Sequence, residues 1–595
     1  MSDTQIDEVF LATTALENFW DVSKPVVFLG EWCRLYERIT YLEELNGRLL
    51  GGPYDHADVA EEAYLHVKRI YEQILPVLGE KLNSIHGRNY SIRYWRILLG
   101  PWMQLYLSAV YDRFLRITHA IDQYPGFTTI GLSSESFVVP TDTLDFACFL
   151  SEDSYNLQLY TKILRALGKE FPCQEAEVPR NHLYSKLLSN SWWRRAIGTS
   201  VKTYTNISAK LFKAVFLKNS HFQRKIELQF LFREFGQILY SWNQMVPCHR
   251  FEYDSEKRNA LRVIELGEGE FGRCLSTMLY VDMPQCFVEG FRVVGDVASK
   301  NYPKHSNAIF SANGWYYDEP FKQWAAMLVD KGAVLAGTQH GGIYGGLKYM
   351  PSEDYETSIV DHYYSWGWER ADCTAKVIPM PATKLIGRNK IGADNNKKGI
   401  LWVATSSPRY VVQLPFLPEH FREYLAWQIK FAAALPQKML AETCFRPHYE
   451  NYKWGTVERL KDCFPSIRVE SWAVPFQVSL ENCRLYVCDH LSTTFAEALA
   501  ANKPTVLFCN PRTNRLRLEA QPFFDLLKDG GILFDSPEAA ASAVAAVYED
   551  VETWWDAPER QKTIRAFCER FARTSPDAIA LWSKELKRIS DLPSH

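Results

Sequence analysis

Hydroxyl and acidic residues cluster between residues 489 and 497. Asp489 lies where a short β-prone run ends, and Ser492, Thr493 and Thr494 open a predicted helix that contains Glu497. The start of a helix leaves backbone N–H groups and the positive end of the helix dipole free to bind an anion. The structural alternative is a capping box, in which Glu497 would hydrogen-bond back to the first turn. We predict that this segment binds a phosphate of the ligand.

A second cluster, Gln339-His340-Gly341-Gly342, follows a predicted strand over residues 333–337. Four glycines between residues 341 and 346 permit a left-handed backbone and a close approach to a ligand. An imidazole at a strand end can donate to a phosphate or transfer a proton. The segment lacks the Lys-Ser/Thr pair of a P-loop and the spacing of a dinucleotide-binding loop. We predict that His340 is catalytic and that Gln339, Gly341 and Gly342 contact the ligand.

Polar residues also follow two predicted strands in the C-terminal half. Thr405 and Ser406 lie at the end of the run 400–405, and Arg446 and His448 flank Pro447. Because ligands of parallel α/β sheets bind beyond the carboxyl ends of the strands, we expect these residues near the phosphate site. A guanidinium and an imidazole suit a diphosphate or a phosphate–carboxylate pair. A plain surface loop is the alternative for Arg446 and His448.

Four residues of the N-terminal half are further candidates. Glu31 follows a predicted strand that ends at Gly30, so it is either the base of a cleft or an ordinary loop acid. His86 lies in a His-Gly turn and is the second candidate for the base. Arg93 and Trp95 belong to a dense aromatic and basic segment, and we predict that they contact the acceptor. The alternative for that segment is a packing face whose arginines reach solvent.

The hydrophobic periodicity predicts an α/β chain. Short β-prone runs occur at residues 8–14 and 25–30 and again from residue 287 onwards. Residues from about 55 to 275 have helical spacing, with one helix over residues 220–242. The polar segment 379–398 lacks periodicity and is the predicted domain boundary.

Two motifs resemble known transferases. The segment D-x-x-S-T-T-x-x-E-A-L-A-x-N-K-P-T resembles the donor-nucleotide loop of GT-B glycosyltransferases. Q-H-G-G-x-Y-G, followed by E-x-x-x-x-D-x-Y-x-S-W-G-W, resembles a family of O-antigen or surface-polysaccharide transferases, along essentially the whole chain. The resemblance implies two Rossmann-like domains that face a cleft. The acceptor domain would be residues 1–385, with the helical insertion at about 55–275. The nucleotide-sugar-binding domain would be residues 395–560, with C-terminal helices at 561–595 that cross back.

Two shorter similarities concern the donor. Arg446-Pro447-His448 resembles the K/R-x-H-P element of CMP-sugar-using GT-B enzymes, although the order here is R-P-H. Gly30-Glu31 is similar to the Gly-Glu context of the catalytic base in GT-B enzymes that use Kdo. Both similarities favour a CMP-activated ulosonic acid, such as Kdo, as the donor. They leave UDP- and GDP-hexoses open.

Composition limits the partners and the location. The 595 residues include 67 Lys and Arg against 70 Asp and Glu, so we expect no nucleic-acid partner. The 13 cysteines form no C-x-x-C pair, and the first residues do not resemble a secretory signal peptide. No apolar run approaches the roughly 18–20 residues that a membrane span needs. We expect a cytoplasmic protein whose contact with the membrane, if any, is peripheral and at the inner face.

These observations predict a metal-independent glycosyltransferase of surface-polysaccharide biosynthesis. No D-x-D motif lies in a predicted strand-end loop, so we expect basic and hydroxyl groups to meet the charge of the leaving group, with no cofactor. The partners would be a nucleotide sugar and a glycan or lipid-linked glycan acceptor. The alternatives are a sugar-nucleotide epimerase, against which the bulk of the helical insertion argues, and a non-catalytic polysaccharide-binding protein, against which the intact motifs argue.

Overall fold

Two six-stranded parallel sheets form the framework of the protein. The computed structural model describes residues 8–54, 57–179, 207–209, 211–234, 236–241, 245, 248–262 and 269–593. Helices connect the strands, as parallel pairing requires. The predicted class, an α/β fold with two Rossmann-like domains, is therefore confirmed.

The first three strands form a small sheet of their own. Strands β1 (Phe10–Ala12), β2 (Val26–Phe28) and β3 (Arg48–Leu49) pair in parallel in that order. The two strands predicted near the start of the chain are present, but they do not join either large sheet. Two further short strands, β4 (Gly131–Leu132) and β5 (Cys173–Gln174), pair with each other.

Long helices fill much of the chain before residue 167. They are α1 (Ile39–Glu44), α2 (Ala57–His86), α3 (Ile92–Gln123), α4 (Thr143–Phe149) and α5 (Asp153–Ala166). Helix α3 is buried on most of its surface because α2, α4 and α5 pack around it. A helix that is apolar all round belongs in a core. Ser91 caps its start by accepting a hydrogen bond from the backbone N–H of Tyr94.

The first large sheet has the strand order β11-β10-β9-β8-β6-β7. Its strands are β6 (Val215–Lys218), β7 (Ile238–Tyr240), β8 (Ala308–Ser311), β9 (Val334–Thr338), β10 (His362–Ser365) and β11 (Lys376–Pro379). The helices of this region are α6 (Arg224–Arg233), α7 (Ser255–Leu261), α8 (Gly269–Asp282), α9 (Phe291–Asn301), α10 (Glu319–Val329) and α11 (Pro351–Ile359). Counted within the sheet, the order is 2-1-3-4-5-6, so the chain reverses direction across the sheet between β6 and β8.

Strands β6 and β7 correct the sequence analysis, which assigned this segment to the helical insertion. The helix predicted over residues 220–242 is shorter: α6 ends at Arg233, and strand β7 follows. Both strands are fully buried runs of three or four residues. Periodicity does not separate so short a buried strand from part of a helix.

The second large sheet has the strand order β14-β13-β12-β15-β16-β17. Its strands are β12 (Ile400–Val403), β13 (Thr443–Arg446), β14 (Arg468–Val469), β15 (Leu485–Cys488), β16 (Thr505–Phe508) and β17 (Leu533–Phe534). The helices are α12 (Pro418–Ala434), α13 (Gln437–Glu442), α14 (Thr456–Cys463), α15 (Phe476–Asn482), α16 (Thr493–Ala500), α17 (Gln521–Asp529), α18 (Pro537–Val547) and α19 (Val551–Trp555). Within the sheet this is the order 3-2-1-4-5-6 of nucleotide-binding Rossmann folds, with the switch point between β12 and β15.

The last two helices, α20 (Pro558–Phe571) and α21 (Ala578–Asp591), follow the second sheet in the chain. The apolar face of α21 nevertheless packs on the first sheet, where Trp582 and Leu586 contact the cluster of Val215 and Phe310. The Trp582 indole also donates to the carbonyl of Pro381, 2.8 Å away. The chain therefore passes between the two sheets at residues 380–399 and again after α20.

Candidate active site

A cavity of about 610 Å³ lies at the carboxyl ends of β12, β13 and β15, where a parallel sheet of this order binds its ligand. Most of the donor-binding residues predicted in the C-terminal half line it: Thr405, Arg446, His448, Ser492, Thr493, Thr494 and Glu497. The other lining residues include Lys384 and Arg388 of the segment between the sheets. The structure thus brings together residues that are up to 113 positions apart in the chain (384 to 497).

The start of α16 has no side-chain cap. Ser492 occupies the capping position with extended backbone, and its hydroxyl accepts no capping hydrogen bond. Glu497 does not reach back to the first turn: its carboxylate binds Lys384 Nζ at 2.7 Å and Arg388 at 2.6 Å. The capping-box alternative was therefore wrong. The first-turn N–H groups have no partner within the helix. Ser492, Thr493 and Thr494 line the cavity at this end of the helix.

Asp489 lies beneath the cavity wall rather than in it. It is buried and accepts hydrogen bonds from Trp402 Nε1 at 2.9 Å and Tyr424 OH at 2.7 Å. Its Oδ1 lies 2.9 Å from Nδ1 of His490, which lines the cavity. Burial opposes a charge on His490, but Cys488 and Asp489 favour the imidazolium and raise the pKa of His490 to about 10. Cys488 and Asp489 together thus favour a positive charge on His490 at the cavity. His490 was not among the predicted site residues.

Arg446 and His448 line the cavity, each with one nitrogen held by neighbouring groups. The Arg446 guanidinium pairs with Glu470, donates to the carbonyl of Val474 at 3.0 Å, and lies 4.5 Å from the ring centroid of Trp472. Burial lowers the pKa of His448. At neutral pH we therefore expect His448 to offer a neutral imidazole and the Arg446–Trp472 pair to offer a flat surface.

Thr405 and Ser406 meet different surroundings at the end of β12. The backbone N–H of Thr405 donates to the hydroxyl of Tyr424 at 2.9 Å, so its side chain is presented to the cavity. The Oγ of Ser406 is buried and has no hydrogen-bond partner within the described ranges. A buried hydroxyl without a partner is a candidate ligand contact.

The His340 loop of the first sheet touches the start of α16. The N–H of Gly342 donates to Oγ1 of Thr493 at 2.7 Å. A Cβ on Gly341 would lie 2.4 Å from the same hydroxyl, so any larger residue there would require the Thr493 side chain to move. Gly342 has φ +65°, which also favours glycine. Gly341 and Gly342 of the first domain thus approach Thr493 of the second domain at the cavity.

Gln339 is not placed as predicted. It is buried, and its side-chain oxygen accepts hydrogen bonds from Trp366 N at 3.0 Å and Trp368 Nε1 at 2.8 Å. Its carbonyl accepts from the Trp366 indole. The amide therefore stabilises the S-W-G-W segment, and the predicted contact with the donor is not supported.

His340 is paired with the carboxylate of Glu356, the glutamate of the E-x-x-x-x-D motif, which was not among the predicted site residues. Nε2 of His340 lies 3.0 Å from Oε1 of Glu356, on helix α11. The His340 side chain is 25% exposed, whereas the Glu356 side chain is fully buried. A carboxylate 16 residues after the histidine, on a helix that packs against the same strand, is the signal that could have identified the pair.

Glu31 does not line the cavity. Its carboxylate is nearly buried and pairs with Arg422 of helix α12, and it lies 4.0 Å from Arg34. Glu31, a predicted candidate for the base, therefore forms an ion pair that connects the N-terminal region to the second domain.

His86, Arg93 and Trp95 lie together, away from the cavity lining. Nε2 of His86 is 2.9 Å from the carbonyl of Phe287, and its ring stacks on Phe291 at 4.0 Å. Arg93 donates to the carbonyl of residue 359 and pairs with Asp361 at 3.0 Å, and the Trp95 indole is bound to Asn83. Burial lowers the pKa of His86 to about 4. The predictions of a base at His86 and of acceptor contacts at Arg93 and Trp95 are thus corrected: this segment is a packing face.

In the described part of the chain, no group of three or more His, Cys, Asp or Glu side chains is arranged to hold a metal ion. Helices in the same ranges are also too short or too polar to cross a membrane.

Comparison with protein-family models identifies the chain. The model of the LIC12162 family transferases matches residues 9–586. The chain belongs to this family. Membership confirms the prediction of a transferase. No curated protein matches the chain.

Solved structures with a similar arrangement share little sequence with this family member. The wall teichoic acid polymerase TagF is 10% identical over 69% of this chain and 98% of its own, with a TM-score of 0.33. MurG of Acinetobacter baumannii is 10% identical over 63% and 99%, with a TM-score of 0.32. Anabaena Alr3699/HepE, in complex with UDP, is 12% identical over 64% and 100%, with a TM-score of 0.33.

Proposed function

We propose that this transferase moves a sugar from a nucleotide donor to a hydroxyl of a glycan or lipid-linked glycan. One observation carries the proposal: the uncapped start of α16 and the imidazole of His490, paired with the buried Asp489, line a cavity at the switch point of a 3-2-1-4-5-6 sheet. Phosphate binds where helix N–H groups and a positive charge converge. A diphosphate or a monophosphate ester is therefore the group that this cavity suits best.

In this proposal the protein meets the charge of the leaving phosphate without a metal. The N–H groups at Thr493 and Thr494 and the imidazolium of His490 would donate to the phosphate oxygens as the bond to the sugar breaks. Preorganised donors of this kind commonly provide the largest part of catalysis in such transfers. Thr405 and Ser406 would add hydrogen bonds at the end of β12.

The finer proposal for the donor is a CMP-activated ulosonic acid, such as Kdo. It rests on Arg446 and His448, which line the cavity at the end of β13 as a CMP-binding element would. The side chain of Trp472 beside Arg446 supplies an aromatic ring next to them. UDP- and GDP-hexoses are the alternatives, and surface-polysaccharide synthesis at the inner face of the membrane is the proposed setting.

The test is a thermal-shift and calorimetric screen of the full chain against CMP, CDP, UDP, GDP and ADP, with and without Mg²⁺. A ligand that binds only the folded state raises the midpoint of unfolding according to its concentration and Kd. We expect one nucleotide to stabilise the protein without Mg²⁺. We also expect His490→Gln to weaken that effect, while His305→Gln, the same change at an exposed histidine, leaves it unchanged.

Each outcome of the screen decides a different point. Selective binding of CMP supports the ulosonic-acid donor, whereas selective binding of UDP or GDP keeps the transferase and discards that donor. An absolute requirement for Mg²⁺ contradicts the metal-independent chemistry. If no nucleotide binds, the proposed donor site is wrong. A separate incubation with the sugar form of the nucleotide that binds tests the epimerase alternative, which conversion of that nucleotide sugar to its epimer would favour.

A further inference from the structure

Glu356 contacts Nε2 of His340 and so determines the tautomer and the orientation of the imidazole. We infer that Glu356 positions the His340 imidazole so that its Nδ1 removes the proton from the acceptor hydroxyl. This inference rests on the proposed glycosyl transfer and deepens it by naming the base and the group that orients it. His340 would be the catalytic residue, and Glu356 would act only through it.

The carboxylate of Glu356 is enclosed by donors. Tyr316 and Tyr344 donate to Oε1 at 2.6 and 3.0 Å, and Tyr363 donates to Oε2 at 2.7 Å. Burial, followed by the negative charge of Glu356, raises the pKa of all three tyrosines well above the usual value, so their hydroxyls stay protonated. A fully buried carboxylate surrounded by hydroxyl donors is an acceptor, because its lone pairs receive those hydrogens.

This arrangement determines which nitrogen of His340 carries the hydrogen. Nε2 lies 3.0 Å from Oε1 of Glu356, which only accepts, and 2.9 Å from the hydroxyl of Tyr344, whose own hydrogen is given to Glu356. Nε2 must therefore be the donor in the neutral imidazole. Nδ1 is then the basic nitrogen, and no described residue hydrogen-bonds it. We assign the tautomer from these partners.

His340 is also close to the proposed donor site. The next two residues, Gly341 and Gly342, contact Thr493 at the start of α16, and Thr493 lines the cavity. His340 is partly exposed, so a hydroxyl can reach it. His340 does not itself line the cavity, but the loop that it begins reaches Thr493. The oriented imidazole therefore lies on the first-domain side of the donor site, where a transfer from a donor in the second domain to an acceptor in the first domain requires a base.

Among the described residues, Glu356 is the carboxylate that contacts His340, and the other neighbours of the imidazole are uncharged. The His221 ring, at the end of β6, is 5.9 Å from the His340 ring. Burial, His340 and Lys384 lower the pKa of His221 to about 4, so it is neutral near pH 7. The titratable and charged groups around this imidazole in the described chain are therefore Glu356, Tyr316, Tyr344, His221 and, through His221, Lys384.

The proposed step balances as follows. The acceptor oxygen forms the new bond to the anomeric carbon, and its proton passes to Nδ1 of His340. The bond from the anomeric carbon to the phosphate oxygen breaks, and the nucleotide leaves with that electron pair. The imidazolium that results is stabilised by the carboxylate of Glu356 and returns its proton to water after the product leaves.

A double-mutant cycle tests the inference on the full chain. The measured quantity is the release of free nucleotide from CMP-Kdo, UDP-glucose and GDP-mannose, each as donor with water or glycan as acceptor. The proteins are wild type, His340→Asn, Glu356→Gln and the double variant. We expect each single change to lower kcat by about 100-fold or more, because general-base catalysis contributes about 10²–10⁴. We expect the double variant to lose no more than either single one, because both changes remove the same step.

Glu356→Gln keeps the shape of the side chain, with an oxygen that still accepts from Tyr316 and His340 and an amide that can donate to Tyr363. It removes the negative charge that stabilises the imidazolium formed when His340 takes the proton. Its unfolding midpoint and nucleotide Kd should stay close to those of the wild type. Tyr363→Phe provides a second route should that variant fail to fold. It removes one donor from Oε2 while leaving the carboxylate against His340, and we expect a loss of kcat below about 10-fold that disappears in the His340→Asn background.

The outcomes separate this inference from the proposed function. If nucleotide binds and is released but the losses of His340→Asn and Glu356→Gln multiply, Glu356 does not act through His340. Full kcat in Glu356→Gln overturns the inference in the same way. If neither nucleotide binding nor nucleotide release occurs in the wild type, the proposed function fails and the inference fails with it.

Discussion

His86 and His340 have similar neighbours in the sequence but make different contacts in the structure. Each imidazole is followed by glycine and lies near several aromatic residues. His86 is 7% exposed, stacks on Phe291 and meets only a backbone carbonyl, and burial lowers its pKa to about 4. His340 is partly exposed and meets the buried carboxylate of Glu356. A neutral imidazole can pack in either place, but only the carboxylate stabilises the imidazolium that proton transfer creates.

The comparison shows that the partner of an imidazole decides its chemistry, and that this partner comes from another part of the chain. The carbonyl that binds His86 belongs to a residue 201 positions away. The carboxylate that binds His340 is carried by helix α11. From sequence, His340 was predicted to be catalytic and His86 to be a candidate base, although only His340 has the carboxylate partner that a base requires.

The largest expected effect is on turnover when His340 is changed. His340→Asn should lower kcat for nucleotide release by about 100-fold or more, because it removes the group that takes the proton. The Kd of the nucleotide should change by less than about twofold, since the imidazole is proposed to act on the acceptor. Steady-state kinetics and calorimetry measure the two quantities.

The matched control is His86→Gln, which removes an imidazole from the packing face. Turnover should stay within about twofold of the wild type, provided that the protein is assayed well below its unfolding midpoint. A loss of kcat equal to that of His340→Asn would contradict the distinction between the two histidines.

The next effect extends the comparison to a third imidazole, His490. Because Cys488 and Asp489 keep its pKa near 10, His490 should carry a positive charge at neutral pH. His490→Gln should weaken nucleotide binding by about 10- to 100-fold, since hydrogen bonds to charged groups contribute about 1.5–3 kcal/mol.

The pH dependence of nucleotide binding tests whether the charge on His490 contributes to affinity. Wild-type affinity should be constant between pH 7 and 9 and should fall as the pH passes about 10, where His490 loses its proton. His490→Gln should show no such fall. Calorimetric titration at several pH values measures it, and equal pH profiles for the two proteins would contradict the role of His490.

The smallest expected effect concerns acid stability. The pKa of His86 is about 4 in the folded protein and near 6.5 when unfolded, so the unfolded chain binds the proton more readily between these values. Stability from this group is complete above about pH 6.5 and is lost as the pH falls towards 4. Protonation of His86 in the unfolded chain should lower the free energy of unfolding of the wild type at pH 5 by about 1–2 kcal/mol relative to pH 7. His86→Gln should not show this part of the decrease.

Denaturant unfolding at pH 7 and pH 5 measures this difference. His305→Gln, at an exposed histidine, should lose the same stability as the wild type. If His86→Gln also behaves like the wild type, the imidazole of His86 is not held neutral by burial.

The donor side of the site could be predicted from sequence because its residues follow strands of one parallel sheet. Arg446 ends β13, Thr405 and Ser492 follow β12 and β15, and the carboxyl ends of those strands meet at one edge of the sheet. The N-terminal half offered no such rule. Arg93 and Trp95 belong to a helix, and their partners Asp361 and Asn83 are determined by packing.

Two errors have a simple physical origin. Gln339 lies directly before the glycine-rich loop, yet its amide is turned inwards to the indole of Trp368. The predicted helix over 220–242 contains a short buried strand at Ile238–Tyr240, whose pattern of burial is too short to reveal its period. Neither the direction of a side chain at a strand end nor the sheet that a three-residue run joins is determined locally.

The measurement that tests the account most directly is a crystal structure of the protein with the nucleotide that binds it most tightly. The account predicts a phosphate within hydrogen-bonding distance of the N–H groups at Thr493 and Thr494 and beside His490. It also predicts that the His340 imidazole lies on the sugar side of that phosphate, with Nε2 still bound to Glu356. A nucleotide bound elsewhere, for example in the cavity between α2, α3 and α11 that contains Arg96 and Arg370, would contradict it.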